Sequence, residues 1–233
     1  PGQPLSVATL GDYSPGGMEI FDDGVRRTYT SPLHPIWYLE HLLGGLSPSR
    51  LYGVGSFNSL YRIESPPGKF FTTSTVQLST PFPQGHHRSQ RGLVFSTMGG
   101  VFDPEAGVTL GTFVTGADYY SSPLVCPDLP GGRVFFLIRE GFQNYSLRAY
   151  DARTFTFVGS MALPSLPSEP GSLIRWGTDG LAFRAGDKVY LIRTSLAPQD
   201  NPTVDLQVSG VEALPPVPAG ETLSYTLTVQ NSG

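Results

Sequence analysis

Glycine and proline interrupt this chain so often that no long helix can form within it. The 233 residues include 28 Gly and 22 Pro, and the longest window free of both, 142–158, is rich in Tyr, Phe, Thr and Val. These residue types favour strands over helices. Only residues 36–43 have a pattern that suits two helical turns. The other apolar runs are short and separated by turn residues, which predicts an all-β fold.

The composition also limits the kinds of partner and site. With 39% hydrophobic residues, the chain can bury a core rather than remain disordered. Its net charge of −4 and scattered cations give no basic patch, which argues against nucleic-acid binding. The charge-free stretch 70–87 is too polar to span a membrane. Cys126 is the single cysteine, so the sequence offers no intrachain disulfide, and we interpret Cys126 as a small buried hydrophobe.

Two series of residues recur along the chain at similar intervals. An apolar residue followed by an acid occurs at 21–22, 63–64, 102–103 and 150–151, and an aromatic residue within an apolar run occurs at Tyr52, Phe95, Phe136 and Phe183. A period of about 43 residues with about four strands per unit is typical of a β-propeller blade, because one such sheet cannot bury both of its faces alone. The sequence therefore predicts a propeller over residues 1–195 with about four to five visible blades, as a smaller ring or as part of a larger one.

The composition and the hydrophobic pattern of the sequence change after residue 195. Residues 196–203 have the composition of a linker. In the following segment Leu223, Tyr225, Leu227 and Val229 alternate with Ser and Thr, which predicts a half-buried antiparallel strand. Two strands around a proline-rich turn are not stable alone. We therefore expect residues 204–233 to be the first strands of a truncated immunoglobulin-like sandwich.

Several segments resemble a known class of protein. The run 171–184, continued by 188–193, resembles the last blade of propellers in large bacterial secreted or envelope proteins, which are related to YVTN and WD-type repeats. Segments that look like pieces of earlier blades are 21–27, 49–53, 92–96, 100–104 and 147–151. The tail 204–233, with its turn at 219–222 and Asn231, is similar to the "conserved repeat" immunoglobulin-like family called domain of unknown function eleven. This resemblance implies a location outside the bacterial cell or in its envelope, and a ring of about seven blades.

The four histidines do not form an obvious site in the sequence. His86 and His87 are adjacent, and neighbouring residues of a strand point to opposite faces, so a shared metal would need an irregular loop. We interpret the pair as part of a solvated hairpin loop. His34 and His41 flank the apolar run around Trp37, and we expect both to have structural roles.

The acidic residues fit turns better than a calcium site. Asp22 and Asp23 precede Gly24, whereas a calcium loop needs several oxygen donors at alternating positions. We interpret these acids and Asp128 as turn residues, and the recurring acid as a residue that stabilises a turn in each blade. The sequence has no nucleophile elbow and no phosphate-binding loop. It therefore predicts no catalytic, cofactor-binding or metal-ligating residues, and leaves Trp176, Asp179 and Trp37 as candidate ligand-facing residues.

The expected function follows by analogy from the fold. The leading hypothesis is a non-catalytic binding or display scaffold of a bacterial exported protein, whose loop face contacts a protein or polysaccharide ligand. The alternatives are a propeller enzyme, such as a lyase, hydrolase or quinone-dependent dehydrogenase, and a purely structural spacer. Three or more His, Asp, Glu or Arg side chains converging in one channel-facing pocket would favour the enzyme. A channel plugged by apolar side chains would favour the spacer.

Overall fold

The computed structural model describes residues 5–8, 18–22, 25–26, 39–47, 49–55, 59–66, 72–78, 85–117, 123–197, 206–210 and 227–231. Every regular element in this part of the chain is a β-strand. The all-β prediction is confirmed. No helix among the described residues is long and apolar enough to cross a membrane.

Among the described residues, five sheets precede residue 195, and four of them are here called blades. The three-stranded sheet before blade 1 consists of β1 (Leu5–Ala8), β2 (Met18–Asp22) and β3 (Val25–Arg26). Blade 1 consists of β4 (Leu39–Gly44), β5 (Arg50–Gly55), β6 (Ser59–Glu64) and β7 (Thr72–Thr75). Blade 2 consists of β8 (His87–Gln90), β9 (Leu93–Ser96), β10 (Gly100–Asp103) and β11 (Val108–Thr112).

Blade 3 is the longest of the four sheets. It consists of β12 (Leu124–Asp128), β13 (Arg133–Gly141), β14 (Asn144–Asp151) and β15 (Phe157–Ala162). The described part of blade 4 consists of β16 (Pro170–Trp176), β17 (Gly180–Ala185) and β18 (Lys188–Arg193). Further along the chain, β19 (Leu206–Gly210) pairs antiparallel with β20 (Leu227–Asn231).

The four blades pack in sequence order through their first strands. In each blade every strand is hydrogen-bonded to the next one along the chain. The first strands β4, β8, β12 and β16 are neighbours in that order, so they form the inner side of a propeller-like arrangement. The described residues thus form four blades rather than a seven-bladed ring. The repeat unit that contains residues 21–22 lies in the three-stranded sheet before blade 1, which is why the repeat suggested a further blade.

Both residue series mark fixed positions within the blades. The recurring aromatic residues lie on the second strands, and all of them are buried: Tyr52, Phe95, Phe136 and Phe183. The recurring acids end the third strands of blades 1 to 3. Asp103 accepts hydrogen bonds from the backbone N–H groups of residues 105 and 106, and Asp151 accepts them from residues 153 and 154. The interpretation of these two acids as turn residues is confirmed.

Strand β13 shows how one blade contributes to two cores. Residues 134–138 are all buried, and successive side chains of a strand point to opposite faces. Phe136 packs with Phe95 and Phe113 of blade 2, whereas Phe135 packs with Leu181 and Phe183 of blade 4. A continuous apolar run is therefore required here, because both faces of the sheet are covered.

Two local expectations have different outcomes. Residues 39–43 of the segment expected to be helical lie in β4, which pairs antiparallel with β5, so the helix prediction is wrong there. The pairing with β5 overrides a weak local pattern. Near the expected linker, Leu196 and Ala197 pack against the core between blades 3 and 4. The rest of that segment, 198–203, lies outside the described residues.

Candidate ligand-binding site

A cavity of about 330 Å³ lies where the first strands of the four blades meet. Blade 1 contributes His41 from β4, and blade 4 contributes Leu173 from β16. The described residues that line the cavity are His41, His86, His87, Arg88, Thr97, Leu124, Val125 and Leu173. We call this the histidine cavity. Each of the four blades supplies part of its wall, as expected for a pocket in a propeller channel.

Three imidazole rings converge in the histidine cavity. His86 Nδ1 lies 3.3 Å from His41 Nε2, a hydrogen bond whose direction depends on which ring carries the proton. The rings of His41 and His86 are 5.1 Å apart between centroids, and those of His41 and His87 are 5.8 Å apart. Both pairs have edge-to-face geometry.

The start of blade 2 holds two of these histidines in place. The backbone N–H of His86 donates to Thr97 Oγ1 at 3.1 Å, and the N–H of Thr97 donates to the carbonyl of His86 at 2.9 Å. Gly85 precedes them with a φ of +95°, and a Cβ there would lie 2.6 Å from Thr97 Oγ1. Glycine is thus needed both for the backbone conformation and for the close approach of Thr97.

The interpretation of His86–His87 as a solvated hairpin loop is wrong for His87. His87 is buried and is the first residue of β8, and only His86 is exposed. Because β8 lies between β4 and β12 of the neighbouring blades, its first residue is shielded from bulk water. His41 and His86 are 45 residues apart, close to the blade period. This separation is the sequence signal that predicts equivalent positions for the two histidines in neighbouring blades.

Positive charge predominates on the described wall of the histidine cavity. Arg88 is the permanent charge, and no Asp or Glu is among the described lining residues. Cys126, which lies near Arg88, is buried, and burial raises the pKa of its thiol to about 11, so the thiol is neutral. The prediction of a buried Cys126 is confirmed.

Asp128 serves the packing of blades 3 and 4 rather than the cavity. Its carboxylate pairs with Arg175 at 3.0 Å, and both side chains are largely buried. It also accepts a hydrogen bond from the N–H of Gly131 at 3.3 Å, which fits the predicted turn. Asp23 and Gly24 lie outside the described residues. Among the residues that are described, no group of three or more His, Cys, Asp or Glu is placed to hold a metal ion.

The candidate ligand-facing residues from the sequence lie elsewhere or are not described. Trp176 ends β16, three residues beyond Leu173, and is 38% exposed, with the Arg193 guanidinium 5.6 Å from its ring centre. Asp179 lies in the next turn, 3.9 Å from Arg193. Neither is among the lining residues of the histidine cavity. Trp37 and His34 lie outside the described residues.

A second cluster of charged residues joins blades 1 and 2. Glu105, in the turn after β10, accepts hydrogen bonds from Arg50 and Arg62, each at 2.7 Å, and from the Tyr52 hydroxyl. Burial and the bond to Glu105 raise the pKa of Tyr52 to about 12. Burial alone would raise the pKa of Glu105, but the bonds from Tyr52 and Arg50 outweigh it and lower that pKa. Because these side chains pair with one another between blades 1 and 2, we assign the cluster to blade packing.

No protein-family model matches the sequence. The sequence also has no match among curated proteins.

Proposed function

We propose that this chain is a ligand-binding propeller module and that the histidine cavity is its binding site. The observation that carries the proposal is the convergence of His41, His86, His87 and Arg88 on one cavity to which all four blades contribute. Ligand pockets combine an apolar wall with a few polar groups that converge from different elements. Here the apolar part of the wall comes from Leu124, Val125 and Leu173. A spacer would be expected to have a channel filled by apolar side chains, so a cavity lined in part by polar side chains favours ligand binding.

An acid–base enzyme is the second candidate. Four His and Arg side chains in one channel pocket exceed the three that would favour catalysis, and the contact between His41 and His86 could pass a proton between the two rings. A lyase or hydrolase would use such a pair. We place it second because no nucleophile or acidic partner is among the described lining residues.

The setting of the module in a larger protein is also a proposal. The resemblance of residues 171–193 to the last blade of bacterial envelope propellers supports display at the cell surface or secretion. The antiparallel pair β19–β20 is compatible with the first strands of an immunoglobulin-like module after the propeller. In that setting the ligand would be presented by another protein or by a polysaccharide.

Imidazole resonances test whether the cavity binds ligands. The chain has four histidines, and three of them line the cavity, so histidine-selective isotope labelling reports on the site almost alone. Small sugars, anions and amines would be titrated separately. We expect at least one of these classes to shift the resonances of His41, His86 and His87 together.

Two tryptophan variants provide the control. Leu124→Trp adds bulk to the cavity wall, whereas Leu110→Trp adds it at a residue that is 48% exposed. A ligand in the cavity should lose its effect in the first variant and keep it in the second, with both variants folded by circular dichroism. Shifts that persist in folded Leu124→Trp, or no shift with any class, would refute the proposed site.

A further inference from the structure

We propose that the ligand of the histidine cavity is a small anion carrying a carboxylate or phosphate group, and that its binding takes up protons on the cavity histidines. This inference rests on the proposed function of the cavity as a ligand site. It adds the chemical class of the ligand and the direction in which the affinity for the ligand changes with pH.

The first argument is the charge of the wall. Arg88 lines the cavity and forms no ion pair with any residue that the structure describes. The acid on the adjoining strand β12, Asp128, is already paired with Arg175 of blade 4, and the Cys126 thiol on that strand is neutral. The described wall therefore has one permanent positive charge and no compensating carboxylate. A guanidinium with nearby donors is a typical recognition group for carboxylate and phosphate.

The second argument is the spacing of the histidines. A single proton between His41 Nε2 and His86 Nδ1, 3.3 Å apart, is accommodated as a hydrogen bond. Charging both rings would put a proton on each of the two facing nitrogens and place two like charges side by side, with the His87 ring 5.8 Å from that of His41. An anion in the cavity would offset this repulsion, so binding should raise the number of protons on the cluster. Affinity for the anion must then increase as the pH falls.

The third argument is size. A cavity of about 330 Å³ is at the small end of ligand pockets, so it suits a short molecule rather than a polymer chain. Leu124, Val125 and Leu173 give one apolar side of the wall, against which a short carbon chain can pack. Malonate, with its two carboxylates, and inorganic phosphate are therefore the probes, and malonamide is the neutral control of the same shape as malonate.

The test is calorimetric titration of the full chain with malonate and malonamide at about pH 6 and about pH 8, whereas phosphate, which itself loses a proton between these values, is compared only between variants at the same pH. If one proton is taken up with each anion, affinity changes by at most about tenfold per pH unit, so we expect malonate to bind about 10-fold to 100-fold more tightly at the lower pH. Malonamide should not bind at either pH. His86→Gln, at an exposed position, should reduce the pH effect to less than about fivefold.

Arginine variants separate the permanent charge from the titrating ones. Arg88→Gln should weaken malonate or phosphate binding about tenfold or more at both pH values. Arg153→Gln removes the same charge from an exposed turn of blade 3 and should leave affinity unchanged. Equal affinity at the two pH values, or equal effects of the two arginine variants, would overturn the inference.

Histidine spectra distinguish failure of this inference from failure of the proposed function. If malonamide or a sugar shifts the cavity imidazoles while malonate and phosphate do not, the cavity is a ligand site but not an anion site. If no probe shifts them, the proposed function itself is refuted, and this inference with it. The expected result is a shift with the two anions only, larger at the lower pH.

Discussion

Removing the charge of Glu105 tests whether the polar cluster between blades 1 and 2 holds them together. Glu105→Gln keeps the shape of the side chain but replaces the charged bonds to Arg50 and Arg62. Hydrogen bonds to charged groups contribute about 1.5–3 kcal/mol each when buried, and exposed ion pairs contribute less than about 1 kcal/mol. The three side chains are 27–33% exposed, so we expect an intermediate total loss of about 2 kcal/mol.

Urea denaturation monitored by circular dichroism measures this loss. The pKa of Glu105 is lowered in the folded protein, so its contribution to stability is present above the ordinary pKa of a carboxyl group and is lost as the pH falls below it. The difference between wild type and Glu105→Gln should therefore be largest near neutral pH and shrink toward about pH 3. Glu169→Gln, at an exposed position, is the matched control and should cost less than about 0.5 kcal/mol. If Glu105→Gln were no more costly than this control near neutral pH, our assignment of the cluster to blade packing would be wrong.

Three further predictions use the same unfolding assay or a thiol assay. Gly99→Ala should lower the free energy of unfolding by at least about 2 kcal/mol, because φ is +96° and a Cβ would collide with a facing backbone carbonyl. Gly171→Ala is the control: no atom lies within 4 Å of its Cβ, and it should lower that free energy by less than about 1 kcal/mol. Equal effects of the two variants would contradict this prediction. Phe136→Ala should cost about 3–5 kcal/mol because the side chain is fully buried, and Phe142→Ala, 79% exposed, should be nearly neutral; a small loss for the first would refute the described core. The Cys126 thiol should react with a disulfide reagent at about pH 8 at least ~100-fold more slowly in the folded chain than in urea, because burial raises the pKa of the thiol to about 11. Similar rates in the two conditions would show that the thiol is accessible in the folded chain.

The blades were predictable from the sequence because each repeats the same physical requirement. A second strand covered on both faces needs a large apolar residue, and Tyr52 and Phe136 meet that need at equivalent places. A tight turn after the third strand needs an acid that bonds the backbone, as Asp103 and Asp151 do. These requirements are local and recur with the period, so they can be read without knowing the fold.

The candidate site was not predictable in the same way, because it depends on contacts between blades. His41 and His86 are 45 residues apart, and neither has a neighbour in sequence that suggests a site. Strand alternation predicts that His86 and His87 point apart, but both line the cavity, and alternation does not reveal that another blade supplies a third ring. Residue type alone makes Trp176 a candidate ligand-facing residue, but it lies at the end of β16 with Arg193 near its ring and does not line the cavity.

The short strand β8 links blade packing to the geometry of the cavity. At its carboxyl end, Ser89 accepts a hydrogen bond from the N–H of Gly44 in blade 1 at 3.0 Å, and Gln90 accepts one from the N–H of Leu129 in blade 3 at 2.7 Å. At its other end the same strand presents His87 and Arg88 to the cavity. The hydrogen bonds on both sides fix the position of this four-residue strand between its neighbours, and the cavity needs all four blades to be packed. A ligand that binds this site must therefore stabilise the packed blades by its own binding free energy, which makes thermal stability of the whole propeller a direct measure of occupancy.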